Sequence, residues 1–354
     1  MEFLYEYGLF LAKTVTFVIA VVAIITIAAA SAIKHKHKKG ELEITDLSEQ
    51  FEEVEQEIVH ALLNKEELKQ KEKNDKKLAK EKAKTDKALA KKKGNSDLEN
   101  TANTKSKVFV VDFKGSIDAK EVSSLREEVS AILSVATKND EVFVRLESGG
   151  GMVHGYGLAS SQLDRIRQHD IPLTVSVDKV AASGGYMMAC VANTIISAPF
   201  AILGSIGVIA QLPNFNKLLK KNDIDFEQFT AGEFKRTVTM FGENTAKGKE
   251  KFIEELEETH VLFKDFVNEH RPSLDLNKVA TGEHWFGTKA LELGLIDSIQ
   301  TSDDYLQKRS KSHKIVAIKY EVKKGLAEKL GKAASLSVES VLGKLMQKNR
   351  IFPG

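Results

Sequence analysis

Two features of this sequence, a serine in a glycine turn and a lysine far downstream, have the residue types needed for nucleophilic chemistry. Ser183 stands in Val180-Ala181-Ala182-Ser183-Gly184-Gly185-Tyr186, between the apolar run PLTVSVD (172–178) and the small-residue run YMMACVA. A serine at such a strand-to-helix turn meets unpaired amides and the positive end of the helix dipole, which stabilise negative charge. Serine is also a preferred N-cap, so the turn alone reads equally well as structural. It is not the G-x-S-x-G elbow of the α/β-hydrolases, because Ala181 stands where that motif has its first glycine. A second turn, Glu147-Ser148-Gly149-Gly150-Gly151, follows the run FVRL. Three glycines allow a sharp bend and close approach to a ligand, and their amides suit an oxyanion. A plain tight turn is the other reading.

A serine nucleophile needs a base. No histidine lies between Gly184 and Thr259. His154 follows the triple glycine on the first turn of an expected helix, where a surface or packing role fits better. A Ser–Lys pair is the other known solution. Lys235 sits in GEFKRTVTMFG beside Phe234, Val238, Met240 and Phe241. Apolar burial there would lower its pKa and let a neutral amine take the serine proton. Lys179 is nearer in sequence, but an ion pair with Asp178 would keep it charged. Composition does not single Lys235 out of so many lysines.

These residues need a scaffold. KVFVVDFKG from Lys107, EVFVRLES (141–148), PLTVSVD (172–178) and TIISAP read as strands. Helical spacing runs from Asp118, a possible N-cap, to Val135, then over Tyr156–Gln168 and Ser183–Val191. Strands alternating with helices predict parallel β-α units in an α/β core, with both glycine turns at strand C-termini, where open α/β sheets place their sites. After Ser298 a basic tail (301–354) holds one more strand candidate, KIVAIKYEV, and an amphipathic helix candidate near 326–346.

The chain has 354 residues, 42% hydrophobic, with a net charge of +2 spread unevenly. That is enough for a sizeable core. A single cysteine, Cys190, excludes an internal disulfide framework and any multi-cysteine metal site. After a short N-terminal segment (1–13), Thr14–Ile33 is an uncharged run of 20 residues, long enough to span a bilayer. A cleaved signal peptide is the competing reading, supported by Ala30-Ser31-Ala32. The acidic leader with Glu2 and Glu6, and the length of the run, favour a retained anchor. Lys34, Lys36, Lys38 and Lys39 flank its C-terminal side, which favours a cytoplasmic main domain. Residues 34–106 form a charged helical segment with apolar spacing at Leu47, Phe51, Val54, Ile58 and Leu62. A Lys/Glu/Ala stretch and a polar linker from Gly94 to Ser106 follow. No metal-ligand spacing, nucleotide loop or base-reading element is present, so no cofactor, metal or nucleic-acid partner is expected.

The order ESGGG, AASGGY, GSIGV, AGEFKR resembles the signal peptide peptidase A family of serine–lysine peptidases, in its smaller membrane-anchored branch. The resemblance covers most of the chain, with a peptidase domain over 107–300. It implies a ClpP/crotonase-like β-α superhelix, with Ser183 as nucleophile and Lys235 as base. Arg236 stands where the family commonly has an acidic residue, and Gly149 where its S-P-G-G turn has proline. By the same resemblance Gly150, Gly151 and Gly184 would form the oxyanion hole. Gly204, Ser205 and Gly207 of the GSIGV loop would line the cleft, with Ser205 orienting Lys235. It further implies cleavage of hydrophobic peptides or unfolded, membrane-derived polypeptides by a homo-oligomer at the bacterial inner membrane. A crotonase-like acyl-CoA enzyme and a non-catalytic membrane scaffold are the rival readings.

Overall fold

The computed structural model describes residues 7–11, 13–18, 40–64, 66–71, 73, 74, 77, 80 and 105–322. Of the expected anchor 14–33, only 14–18 are among them. The remainder of the anchor, the basic cluster after it, most of the linker and the candidate helix at 326–346 lie outside the described residues. Among the described residues no helix is long and apolar enough to cross a membrane. The chain divides into two units, 1–41 with 321–354, and 42–320. In the first, residues 7–11 and 13–18 are helical, and Thr14 Oγ1 donates to the carbonyl of Phe10 at 2.8 Å.

The larger unit is mixed α/β. Its elements are β1 (Glu41–Asp46), α1 (Leu47–Leu62), β2 (Lys107–Lys114), α2 (Val122–Leu133), β3 (Glu141–Glu147), α3 (Val153–Gln168), β4 (Leu173–Val177), β5 (Val180–Ala182) and α4 (Gly184–Ala189). Then follow β6 (Thr194–Ser197), β7 (Ile202–Gly204), α5 (Asn216–Lys221), α6 (Ala246–His270), α7 (Leu276–Val279), β8 (His284–Phe286), α8 (Gly287–Glu292), β9 (Ser298–Ile299), α9 (Ser302–Ser310) and β10 (Lys314–Glu321). A seven-stranded sheet runs β1-β10-β2-β3-β4-β6-β9, with β10 through β9 paired in parallel. A small second sheet, β5-β7-β8, carries the Ser183 turn at its edge. The near-continuous apolar runs of β2, β3 and β4 suit strands buried on both faces. Val110 opposes Phe143, and Val144 opposes Val175.

Four local expectations change. ELEITD is the strand β1, not the start of a helix; the helix begins at Leu47, with Asp46 accepting from the amides of Ser48 and Glu49. Of its spaced apolar residues, Leu47 and Phe51 pack on Val108, Val110, Phe143 and Ile315, while Val54, Ile58 and Leu62 are exposed. Asp118 does not cap α2. It accepts from Ser116 Oγ at 2.6 Å, the next residue, Ala119, turns to φ 49°, and the helix starts at Val122. Finally, the compact unit extends past residue 300. Helix α9 is clamped by the buried Glu141 carboxylate, which accepts from Thr174 Oγ1, Tyr305 and Arg309, and β10 inserts between β1 and β2.

Glu128 on α2 is buried and accepts from the Tyr320 amide at 2.8 Å. Burial, reinforced by the nearby charge of Asp112, pushes its carboxyl from 4.5 up to about 7. Between those values the folded chain holds a proton that the unfolded chain releases. This contribution to stability is therefore fully present below pH 4.5 and lost as pH rises through 7. A shift of this size corresponds to about 3 kcal/mol. Glu128→Gln cannot release a proton, so its unfolding free energy relative to wild type is expected to gain ~2–3 kcal/mol between pH 5 and 8. Parallel denaturant curves for both proteins across that range would sink the assignment.

Candidate active site

The site is built where β5 ends. Ser183 holds φ 52° and ψ −120°, a region that side-chain-bearing residues rarely occupy and that costs about 1–3 kcal/mol. The conformation is fixed from both sides: its amide donates to the Gly204 carbonyl at 2.8 Å, and its carbonyl accepts from Met187 at 3.0 Å. Although Ser183 occupies the N-cap position of α4, its side chain makes no capping hydrogen bond. The structural reading of this serine as an N-cap is therefore not realised, and the residue lines two cavities.

The triple-glycine turn packs directly on this residue. Gly150 has φ 85°, and a Cβ placed there would lie 2.7 Å from the Ala182 carbonyl oxygen, 2.7 Å from the Gly184 nitrogen and 2.8 Å from Ser183 Cβ. Only glycine permits the contact. The Gly150 amide, however, is already engaged, donating to Ser148 Oγ at 3.1 Å. That hydroxyl lies 2.5 Å from Tyr156 Oη, which donates to the Ser116 carbonyl at 2.9 Å. Burial pushes the Tyr156 phenol up, so it stays protonated and the chain of donors runs one way, from Gly150 through Ser148 and Tyr156 to Ser116. Among the described residues no acceptor holds the amides of Gly151 or Gly184, and both glycines line the space at Ser183. Of the three expected oxyanion donors, these two are free and Gly150 shapes the turn.

Two cavities meet at Ser183. The smaller, about 70 Å³, is walled by Val153, Tyr156, Met187 and Phe263. The larger, about 580 Å³, is lined by Gly150, Gly151, Ser205, Gly207 and His260. Ser205, at φ 51°, donates its amide to the Glu283 carbonyl at 2.6 Å, which places the GSIGV loop on the cleft wall. His260 and Phe263 come from α6. Only the packing of that helix across the cleft brings them there; His260 lies one residue beyond the histidine-free stretch that follows Ser183. Its spacing to Phe263, three residues on, is the one local signal that both share a helix face.

The chain does not bring Lys235 to this cleft. It is exposed, in an irregular segment with no helix or strand, and lines a separate cavity of about 770 Å³ with Leu212, Phe229, Met240 and Phe241. The apolar enclosure expected around its amine does not form within one chain. Its neighbours explain the placement: Glu233 pairs with Lys247, and the Phe234 ring lies 5.5 Å and 5.9 Å from the amines of Lys247 and Lys251. Those lysines stand on the first turns of α6. His260, which flanks Ser183, lies nine to thirteen residues further along, about 14–20 Å at 1.5 Å per residue. Ser205 shares the cleft of Ser183 and not the cavity of Lys235. Lys179 does not pair with Asp178; it bridges Glu147 at 3.2 Å, while Asp178 accepts from the amide and hydroxyl of Ser302. His154 is exposed.

Comparison with known proteins identifies the family. The models for Peptidase family S49 N-terminal and Peptidase family S49 match residues 2–163 and 165–316. A probable protease SohB of Haemophilus influenzae is 51% identical over 347 residues, covering 98% of this chain and 97% of the relative. Its namesake in Buchnera aphidicola subsp. Schlechtendalia chinensis is 53% identical over 319 residues, covering 87% and 100%. A serine held free of capping bonds in a strained turn, on a chain so closely related to these proteases, makes this protein a serine peptidase belonging to peptidase family S49.

Proposed function

We propose that this peptidase is a membrane-anchored endopeptidase that cleaves hydrophobic or unfolded, membrane-derived polypeptides with a Ser183–Lys235 dyad. The observation that carries the reading is Ser183 itself, strained, uncapped and open to a glycine-lined cleft. Its hydroxyl attacks a peptide carbonyl while the Lys235 amine accepts the proton, then hands it to the leaving amine as the C–N bond breaks. The resulting oxyanion takes the amides of Gly151 and Gly184, and water releases the acyl group. The core belongs with the ClpP/crotonase-like superhelices, and residues 14–33 tether it to a bacterial inner membrane, the flanking lysines favouring a cytoplasmic catalytic face.

Because Lys235 stands apart from Ser183 within one chain, the dyad is completed between copies, the 222–245 segment of one protomer reaching the cleft of the next. Exposed Phe226, Phe229, Phe234 and Phe241 on that segment supply apolar surface for such a contact. Casein hydrolysis by the detergent-solubilised full chain tests this. Ser183→Ala and Lys235→Ala are each expected to be silent, whereas their co-assembled 1:1 mixture regains activity at about one interface in four. A silent mixture would place the dyad within one chain. Full activity of Lys235→Ala alone would remove that lysine from the chemistry.

A further inference from the structure

The two glycine turns at Ser183 follow different strands, β3 and β5, so their spacing has to be held by contacts between them. Part of that hold is main chain. Ser148 and Ala181 form a parallel bridge, and the Ala182 amide donates to the Ser148 carbonyl at 3.0 Å. The bridge ends at Ser148. Beyond it run Gly149, Gly150 and Gly151, the residue type with the widest choice of backbone conformation and the most freedom to lose.

Tyr156 of α3 lies where a strut between the turns would stand. Its ring rests on the Ser183 turn: a Cβ on Gly184 would lie 2.8 Å from Tyr156 Cβ and from its Cδ2. Its hydroxyl reaches the other turn. Tyr156 Oη lies 2.5 Å from Ser148 Oγ, which accepts from the Gly150 amide at 3.1 Å, and it donates to the Ser116 carbonyl at 2.9 Å. The strut is closed in on its other sides. Tyr156 and Ser148 are buried, and Phe113 meets the ring edge-on with centroids 6.4 Å apart. A Cβ on Gly115 would strike the Tyr156 hydroxyl and lie 2.8 Å from Ser148 Oγ. An unbroken line of contacts thus joins Gly184 to Gly150 through one ring and two hydroxyls.

We propose that Tyr156 is a positioning residue for the oxyanion site: its ring fixes Gly184, its hydroxyl fixes Gly150 through Ser148, and together they set the spacing of the Gly151 and Gly184 amides. The inference rests on Ser183 being the nucleophile and on those two amides receiving the oxyanion. It adds what sets their geometry. The amides matter most once charge has developed on the carbonyl oxygen, so a displaced turn weakens the transition state more than substrate binding.

Two variants cut the line at successive links: Tyr156→Phe keeps the ring and removes one hydroxyl, and Ser148→Ala removes the other. The detergent-solubilised full chain is assayed on a fluorogenic casein peptide, and Ser183 is labelled with a small fluorophosphonate whose phosphoryl oxygen takes the same amides. Each variant is expected to lower kcat by roughly 10–100-fold, with KM within about threefold of wild type and labelling slowed in step with kcat. The double variant should fall no further than the worse single one, because the links lie in series. The pH profile of kcat should keep its shape in Tyr156→Phe. Should that variant fail to fold, Ser148→Ala carries the same expected split between kcat and KM. Losses that multiply in the double variant overturn the strut, since separate damage to the fold adds in that way. A raised KM with unchanged kcat also overturns it, leaving Tyr156 as a wall of the smaller cavity. A lost limb in the pH profile makes the phenol a proton carrier instead. Wild-type kcat in both variants, with the wild type labelled at Ser183, overturns this inference alone. A wild type that is not labelled at Ser183 overturns the nucleophile reading and this inference with it.

Discussion

Ser183→Gly is expected to be both inactive and more stable than the wild type. Removing the proposed nucleophile is expected to cost about 10⁴-fold or more in kcat, leaving what binding and oxyanion donors supply. The stability change comes from the backbone. At φ 52° and ψ −120° the serine lies in a region that glycine enters freely and other residues enter at a cost of about 1–3 kcal/mol. Glycine removes that cost while adding about 1 kcal/mol of unfolded-state entropy, so a net gain of about 1 kcal/mol is expected. Ser183→Ala loses the hydroxyl but keeps the strain, so it should be equally inactive without the gain. Thermal unfolding of the three proteins side by side separates the effects. A glycine variant less stable than the alanine variant would show that the turn is not strained.

Gly150→Ala should be nearly as damaging, for a different reason. The added methyl meets backbone atoms of Ala182 and Gly184 at 2.7 Å, and these cannot rotate away as a side-chain tip would. It also forces alanine to φ 85°. Together these are expected to cost roughly 2–4 kcal/mol of stability. Displacing Ser183 by an ångström from its working position should lower kcat by about 10²-fold. Gly149→Ala is the internal control, because nothing lies within 4 Å of its added methyl. It should retain a near-wild-type melting temperature. Equal losses in both variants would mean that the turn tolerates no side chain anywhere, and the specific contact with Ser183 would lose its force.

What the sequence made legible was local. The runs that became β2, β3, β4 and β6 are bounded by turn residues and rich in β-branched side chains, and the two glycine turns advertise themselves by spacing alone. What it hid depends on distant packing. ELEITD reads as acidic helix until β10 offers it an edge. Asp118 looks like an N-cap until Ser116 claims its carboxylate. The apolar residues around Lys235 suggested enclosure, yet Phe234 instead lies against lysines of α6, leaving the amine in the open. His260 had no motif to mark it, since its place comes from a 25-residue helix crossing the cleft. Glu147 was readable as part of a turn, but not as the partner that Lys114 and Lys179 share.

Strand β10 has a consequence for how the protein is born. It pairs with β2 in the register Lys314 to Lys107, so 206 residues emerge from the ribosome between the two partners. At translation rates of about 5–20 residues per second, that interval is about 10–40 s. Throughout it, one edge of β2 presents unpaired amides and carbonyls beside a strongly apolar surface, the kind of edge that other chains extend. Non-local parallel pairing is also slow to form once the strand arrives. The nascent polypeptide is therefore expected to stay exposed to misassembly at that edge until β10, the last strand among the described residues, is released.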